Sequence, residues 1–209
     1  IGGGVIGMEF ASLYQMLGCQ VTVLEAMDRI LPNMDREVCQ NLSMILKKRG
    51  VQIFAGARVE QVEKAEEGYT VRFTQKGQSA QVQGEVVLCA IGRRPNTQGL
   101  FSPDFSVEQE RGRILVDENF QTSVPGVYAV GDVSARIQLA HVASAQGTAC
   151  VERLAGRNPL TDLNAVPSCI YTDPEIACVG LTADEAKAAG RAVKVGKYVM
   201  FSNGRTVIV

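Results

Sequence analysis

The chain opens on Gly2-x-Gly4-x-x-Gly7, and a carboxylate, Glu25, follows 18 residues after Gly7. Together these residues have the chemistry of dinucleotide binding. The first glycine permits a tight strand-to-helix turn, the second lets backbone approach a pyrophosphate, and the third lets a helix pack closely on a strand. The helix that starts there aims unpaired N–H groups and about half a positive charge at the diphosphate. A carboxylate ~20 residues on accepts hydrogen bonds from both adenine-ribose hydroxyls and repels the 2′-phosphate of NADP. No Arg stands at Ala26 or Met27 to receive that phosphate; Arg29 is the nearest. The expected cofactor is NAD. The bland alternatives are a glycine-rich turn without a ligand and a solvated strand-end acid. Glu9, one turn into the helix, is on its own only compensation of the helix dipole.

Other chemistry is sparse. Cys19, Cys39, Cys89, Cys150, Cys169 and Cys178 form no CxxC and no tight cluster, and His141 is the sole histidine. Metal sites usually need shorter ligand spacings. Cys19 and Cys89 have apolar neighbours, so they are expected to be buried, and all six thiols are expected to be structural. That implies a reducing, cytoplasmic compartment. With 21 basic and 22 acidic side chains, the charge balance favours neither nucleic acid nor an anionic membrane.

These residues need elements to position them. Apolar spacing predicts a helix from Gly4 to Leu17, and Val21 to Leu24 reads as a short buried strand. Asp35 caps a second helix that stops at Gly50, and Val51 to Phe54 is the next strand. Alternation near Arg58–Lys64, Tyr69–Gln75 and Ala80–Gly84 predicts an antiparallel meander. Val86 to Ile91 is expected as a fully buried strand. Strands are also expected at Ile114–Asp117 and Val127–Asp132, followed by a helix over Leu139–Leu154. Later strands fall near Cys169–Tyr171, Ala177–Val179 and beyond a helix over Thr182–Ala189. The glycine turn needs a strand before it, of which only Ile1 is present, and the chain stops on apolar Thr206-Val207-Ile208-Val209. It reads as an internal piece of a longer protein.

Several separate segments resemble the pyridine nucleotide–disulfide oxidoreductases. They are Ile1 to Glu9, Ala90-Ile91-Gly92-Arg93-Arg94-Pro95-Asn96-Thr97, and Val124 to Asp132. Leu139-Ala140-His141 with Gly147, and Tyr171 to Ala177 with Val179-Gly180-Leu181-Thr182, complete the set. Within that family, Leu139-Ala140-His141, the Arg93 to Thr97 run and Glu25 resemble the branch that oxidises dihydrolipoamide and passes hydride through FAD to NAD. The resemblance implies an α/β fold in three parts. Residues 1–92 would be a Rossmann-like, doubly wound NAD domain with the meander. Residues 93–162 would be the returning half of a Rossmann-like FAD domain, and 163–209 the start of an α+β dimerisation domain. It further implies that Gly2, Gly3, Gly4, Val5, Ile6, Gly7, Glu9, Glu25, Val59 and Gly92 surround NAD, with Arg93 beside them. Asp132 would meet the flavin's ribityl chain, and Ala140 and His141 would lie beneath its ring. The family's redox Cys pair and its His–Glu base lie in segments not found here, so none of these residues is a redox catalyst. The parent would be a homodimer serving the lipoyl domain of a 2-oxo acid dehydrogenase or glycine cleavage complex. The alternatives are a transhydrogenase, a mercuric or glutathione reductase, or a non-catalytic NAD-binding module.

Overall fold

The computed structural model describes residues 1–135 and 137–208; Val209, last of the apolar run, lies outside them. The chain is mixed α/β, as expected. Helix α1 (Val5–Met16) leads to β1 (Thr22–Glu25), α2 (Arg36–Lys48) and β2 (Gln52–Ala55). The two strands pair in parallel from Thr22↔Gln52 to Glu25↔Ala55. Asp35 caps α2 by accepting a 2.9 Å hydrogen bond from the Glu37 N–H, while Lys47 and Lys48 oppose the dipole in its last turn. The apolar stripes of both helices meet the sheet in one core: Met8, Ala11, Val23, Leu42, Leu46 and Val51 are all buried. Truncating one of its leucines to Ala would cost about 2–5 kcal/mol.

The meander forms close to its expected limits as β3 (Ala57–Lys64), β4 (Tyr69–Gln75) and β5 (Gln78–Gly84), all antiparallel. Alternation decides its faces. Ala57, Val71 and Phe73 turn inward onto Leu24 and Phe54, and the intervening polar residues face water.

Three expected strands do not form as such. Val86 to Ile91 is extended but pairs with no named strand, and Val86 and Ile91 are 83% and 74% exposed. Among the described residues its ladder contacts run only to Ile1, whose backbone nitrogen donates to the Leu88 carbonyl (2.7 Å) and whose carbonyl accepts from the Ala90 N–H (2.8 Å). Gly2 N–H donates in turn to the Leu24 carbonyl. A groove of about 900 Å³ continues from Ile1 between β1 and this segment, with Phe10 and Tyr14 of α1 on one wall. An apolar run becomes a buried strand only where a ladder neighbour covers it. At Ile114–Asp117, only Ile114 enters a strand, pairing β7 (Arg113–Ile114) with β6 (Gln109–Glu110). Val127 to Val130 closes back onto Phe120–Thr122 through an isolated bridge, and Gly131–Val133 is a 3₁₀ turn.

Helix α3 (Ala140–Leu154) then follows, and β8 (Pro167–Ile170) and β9 (Ile176–Val179) form an antiparallel hairpin. Helix α4 (Ala183–Ala188) starts with a capping box. Hydrogen bonds from the Thr182 backbone and hydroxyl hold the Glu185 carboxyl below its ordinary pKa. The strands expected beyond it are replaced by a 3₁₀ turn at Met200–Ser202 and α5 (Gly204–Ile208), local structures that satisfy backbone groups without a sheet partner. The expected burial of Cys19 and Cys89 is not met. Cys19 and Cys89 are exposed, one at the rim of the groove and one on the unpaired segment, whereas Cys39 and Cys150 are buried. Among the described residues, no helix is long and apolar enough to cross a membrane.

Candidate dinucleotide site

The glycine turn sits where the end of β1 meets the start of α1. Gly2 has φ +102°, and a Cβ there would overlap the carbonyl of Ala90. A Cβ on Gly7 would overlap the carbonyl of Gly2, so the third glycine does let the helix press against the turn. Gly3 is fenced by Glu25 and Ile30, whose atoms would lie 3.0–3.1 Å from its Cβ. Gly4 differs from all three: nothing lies within 4 Å of the space its side chain would take. Gly4 also caps α1 without a side chain, so the first-turn N–H groups of the helix gain no partner from it. An open, donor-rich backbone surface of this kind fits a diphosphate.

Glu25 ends β1 and is only 8% exposed. Its Oε2 accepts from the Gly3 N–H at 2.5 Å, and its Oε1 accepts from the Met27 N–H at 2.6 Å. The Leu31 N–H donates to the Gly3 carbonyl at 2.8 Å, so the loop after β1 holds both polar groups of Gly3. Arg29 bonds the Pro32 carbonyl at 3.0 Å and lies 3.8 Å from Asp28. Its guanidinium is thus held to the backbone of the loop after β1 through one nitrogen, with its Nε buried and, among the described residues, unpartnered.

The other sequence candidates are spread more widely. Val5 is half-buried and Ile6 exposed at the start of α1; Val59 on β3 packs in the Leu24–Phe73 cluster. Gly92 is exposed with φ +121° and open space around it. Arg93 lies 3.8 Å from the carboxylate of Asp132, so the fold brings together two residues that are 39 apart in sequence. Asp132 is half-buried in the 3₁₀ turn, and the Gly131 N–H before it donates to Gln146 of α3 at 2.8 Å. An accessible carboxylate anchored on that turn fits a donor such as a ribityl hydroxyl. Ala140 and His141 are exposed at the start of α3. The ring Nε2 of His141 lies 2.8 Å from the Pro167 carbonyl.

Sequence reasoning missed the company that Glu9 keeps. Its Oε1 accepts from the Tyr171 N–H at 2.9 Å, and Ser12, one turn on, accepts from the Asp173 N–H at 3.0 Å. Arg49 reaches both the carbonyl and the carboxylate of Asp173 at 2.8 Å. No local signal marks such contacts, because they join residues more than 120 apart.

Comparison with known proteins points to one family. The family model described as pyridine nucleotide-disulphide oxidoreductase matches residues 1–147, and that of the same family's dimerisation domain matches 166–209. Dihydrolipoyl dehydrogenase of Bacillus subtilis is 42% identical over the whole chain, and the mitochondrial one of Pisum sativum is 40% identical over 98% of it. The chain spans 44% and 42% of these relatives' own lengths. Among solved structures, LpdA of Mycobacterium tuberculosis superposes with a TM-score of 0.87 at 31% identity, covering 99% of this chain and 45% of that one. The flavoprotein disulfide reductase RclA of Escherichia coli gives 0.86 at 30%, covering 100% and 47%.

Proposed function

The chain belongs to the pyridine nucleotide-disulphide oxidoreductase family, whose cofactors are FAD and NAD, and from that premise we propose that its parent is a dihydrolipoamide-oxidising member. The cofactors supply the two-electron chemistry: a dithiol becomes a disulfide, one hydride ends on NAD and one proton is released. This chain's residues bind and orient. Residues 1–92 hold NAD, 93–162 contribute to the FAD site, and 163–209 contribute to a homodimer contact. The lipoyl domain of a 2-oxo acid dehydrogenase or glycine cleavage complex is the substrate carrier. The relatives at about 40% identity carry the dihydrolipoyl dehydrogenase name, which favours this branch over other disulfide reductases.

The observation that carries the reading is the glycine turn with its one open position, Gly4, and the Glu25 carboxylate at its rim. In this reading the α1 N–H groups take the diphosphate and Glu25 takes the ribose hydroxyls. Gly2, Gly3 and Gly7 shape the turn, while Val5, Ile6, Glu9, Val59, Gly92 and Arg93 complete the nucleotide surroundings. Asp132, Ala140 and His141 face the flavin. The test is a calorimetric titration of the chain with NAD and with NADP. NAD should bind, and NADP should bind at least tenfold more weakly, because hydrogen bonds to a charged group contribute about 1.5–3 kcal/mol. Equal affinity for both removes Glu25 from the ribose.

A further inference from the structure

Glu25 does more in this structure than a ribose acceptor requires. We propose that it is also a positioning residue for the phosphate loop, holding the Gly3 amide so that the backbone of Gly4 stays open to a diphosphate. This rests on the nucleotide-binding reading above and adds a second task for the same carboxylate.

The hydrogen bonds set out the device. Gly3 is gripped on its N–H by Glu25 Oε2 (2.5 Å) and on its carbonyl by the Leu31 N–H (2.8 Å). One grip comes from the last residue of β1 and the other from the loop that follows it. That loop is itself fixed, since Met27 N–H bonds Glu25 Oε1 (2.6 Å) and the Met27 carbonyl accepts from Gly56 at 2.7 Å. The Glu25 carboxylate is therefore the node joining the glycine turn to the strand ends. A carboxylate offers about four acceptor positions. The two backbone amides occupy one on each oxygen, which leaves one on each for a ribose hydroxyl. The acceptor count therefore leaves room for both tasks.

The geometry also fixes what the alternatives cannot do. Gly3 has Glu25 Cβ and Oε2 at 3.0 and 3.1 Å from the place of a Cβ, so the carboxylate is packed against the turn as well as bonded to it. At 8% exposure it is held there and does not swing into water. A glutamine at position 25 keeps the shape but offers only one acceptor oxygen, and its NH₂ group would face one of the two donors. A loop so loosened presents its amides to phosphate in many orientations, and ordering them again on binding weakens affinity.

The two tasks separate by choice of ligand. ADP carries both the diphosphate and the ribose hydroxyls, whereas 2′,3′-dideoxy-ADP keeps the diphosphate alone. If Glu25 acted only on hydroxyls, E25Q would weaken ADP and leave the dideoxy nucleotide untouched. If it positions the loop, both weaken, the dideoxy nucleotide by about tenfold. The experiment is calorimetry of both probes on the 209-residue chain and on E25Q, together with amide NMR of the ligand-free unmodified chain. In the latter, the Gly3 amide should be shifted far downfield and protected from exchange, the mark of a short bond to a carboxylate. Undiminished affinity for dideoxy-ADP in E25Q overturns the positioning role, as does a fast-exchanging Gly3 amide in the unmodified chain. If neither probe binds the unmodified chain, the nucleotide reading fails and with it the phosphate role, whereas binding that survives E25Q sinks the positioning role alone. Should E25Q fail to fold, the Gly3 amide of the unmodified chain still decides whether the grip exists.

Discussion

Asp132 illustrates how far a single residue can be read. Its apolar approach, Val127 to Val130, ends in Gly131, and a carboxylate there must face water or meet a donor, because burial unpaired is costly. In the structure it does both: it is half-buried, with Arg93 3.8 Å away. An exposed pair at that distance is worth little, so Asp132 remains free to accept from a flavin hydroxyl. In the full-length parent, Asp132→Ala should weaken flavin retention by about tenfold, whereas Asp28→Ala, on an exposed loop, should not. Flavin absorbance per polypeptide after gel filtration reads this, and equal occupancy in both variants would detach Asp132 from the flavin. The thiols give a second residue-scale expectation. Burial pushes the Cys39 thiol up from its ordinary pKa, and its Sγ donates to the Leu31 carbonyl at 3.1 Å. Since the thiolate is the nucleophile, Cys39 should be alkylated by iodoacetamide far more slowly than exposed Cys19, Cys89, Cys169 and Cys178. Peptide mapping of a timed reaction would show it, and Cys39 reacting with the first wave would contradict the burial. The glycines and Glu25 were legible because their meaning is local, set by spacing along one βα unit. The burial of Cys39 rather than Cys19 was not, because it depends on how α2 sets Cys39 against the core while Cys19 falls in the open turn between α1 and β1.

At the scale of elements, the helices α1, α2 and α3 and the meander were legible from apolar period, capping residues and alanine content. Each closes most of its hydrogen bonds within itself or with its sequence neighbour. The runs at Val86–Ile91 and Val127–Val130 have equal β character yet form no strand, because a strand is a property of two segments and the second was not given by the pattern. The hairpin β8–β9 is the converse: both strands were expected, but neither their pairing nor their docking place was legible. Ile170 at its inner end is fully buried among Met8, Leu42 and Leu46 of α1 and α2, and the Glu9, Ser12 and Arg49 contacts surround it. Packing should dominate that dock. Ile170→Ala is expected to destabilise the chain by about 2–5 kcal/mol. Asp173→Ala, which removes a partly exposed ion pair, should cost about 0.2–1 kcal/mol. Urea midpoints of the two variants measure the difference. A larger loss from Asp173→Ala than from Ile170→Ala would mean that polar bonds, not the apolar plug, hold the hairpin.

For the whole molecule the decisive question is what the assembled chain can and cannot catalyse. Oxidising a dithiol requires an acceptor able to take two electrons from sulfur, and in this family's chemistry a thiol pair stands between substrate and cofactors. The six thiols here do not supply one. Two are buried, four are exposed, and all six are unpaired. Cys178 Sγ lies 3.5 Å from the thioether of Met34, which cannot form a disulfide. The ring Nε2 of His141 sits against the Pro167 carbonyl at 2.8 Å. The glycine turn, by contrast, is held by Glu25 and Leu31, and the helix that follows it packs into the core that contains Met8 and Leu46. Binding and turnover should therefore part company in the 209-residue chain. NAD should bind, as titration would show, while lipoamide-dependent reduction of NAD, followed by nicotinamide absorbance with added FAD, should stay at the level of a heat-treated blank. Turnover above that blank, retained after all exposed thiols are alkylated, would mean that the chain transfers electrons by a route its cysteines do not provide.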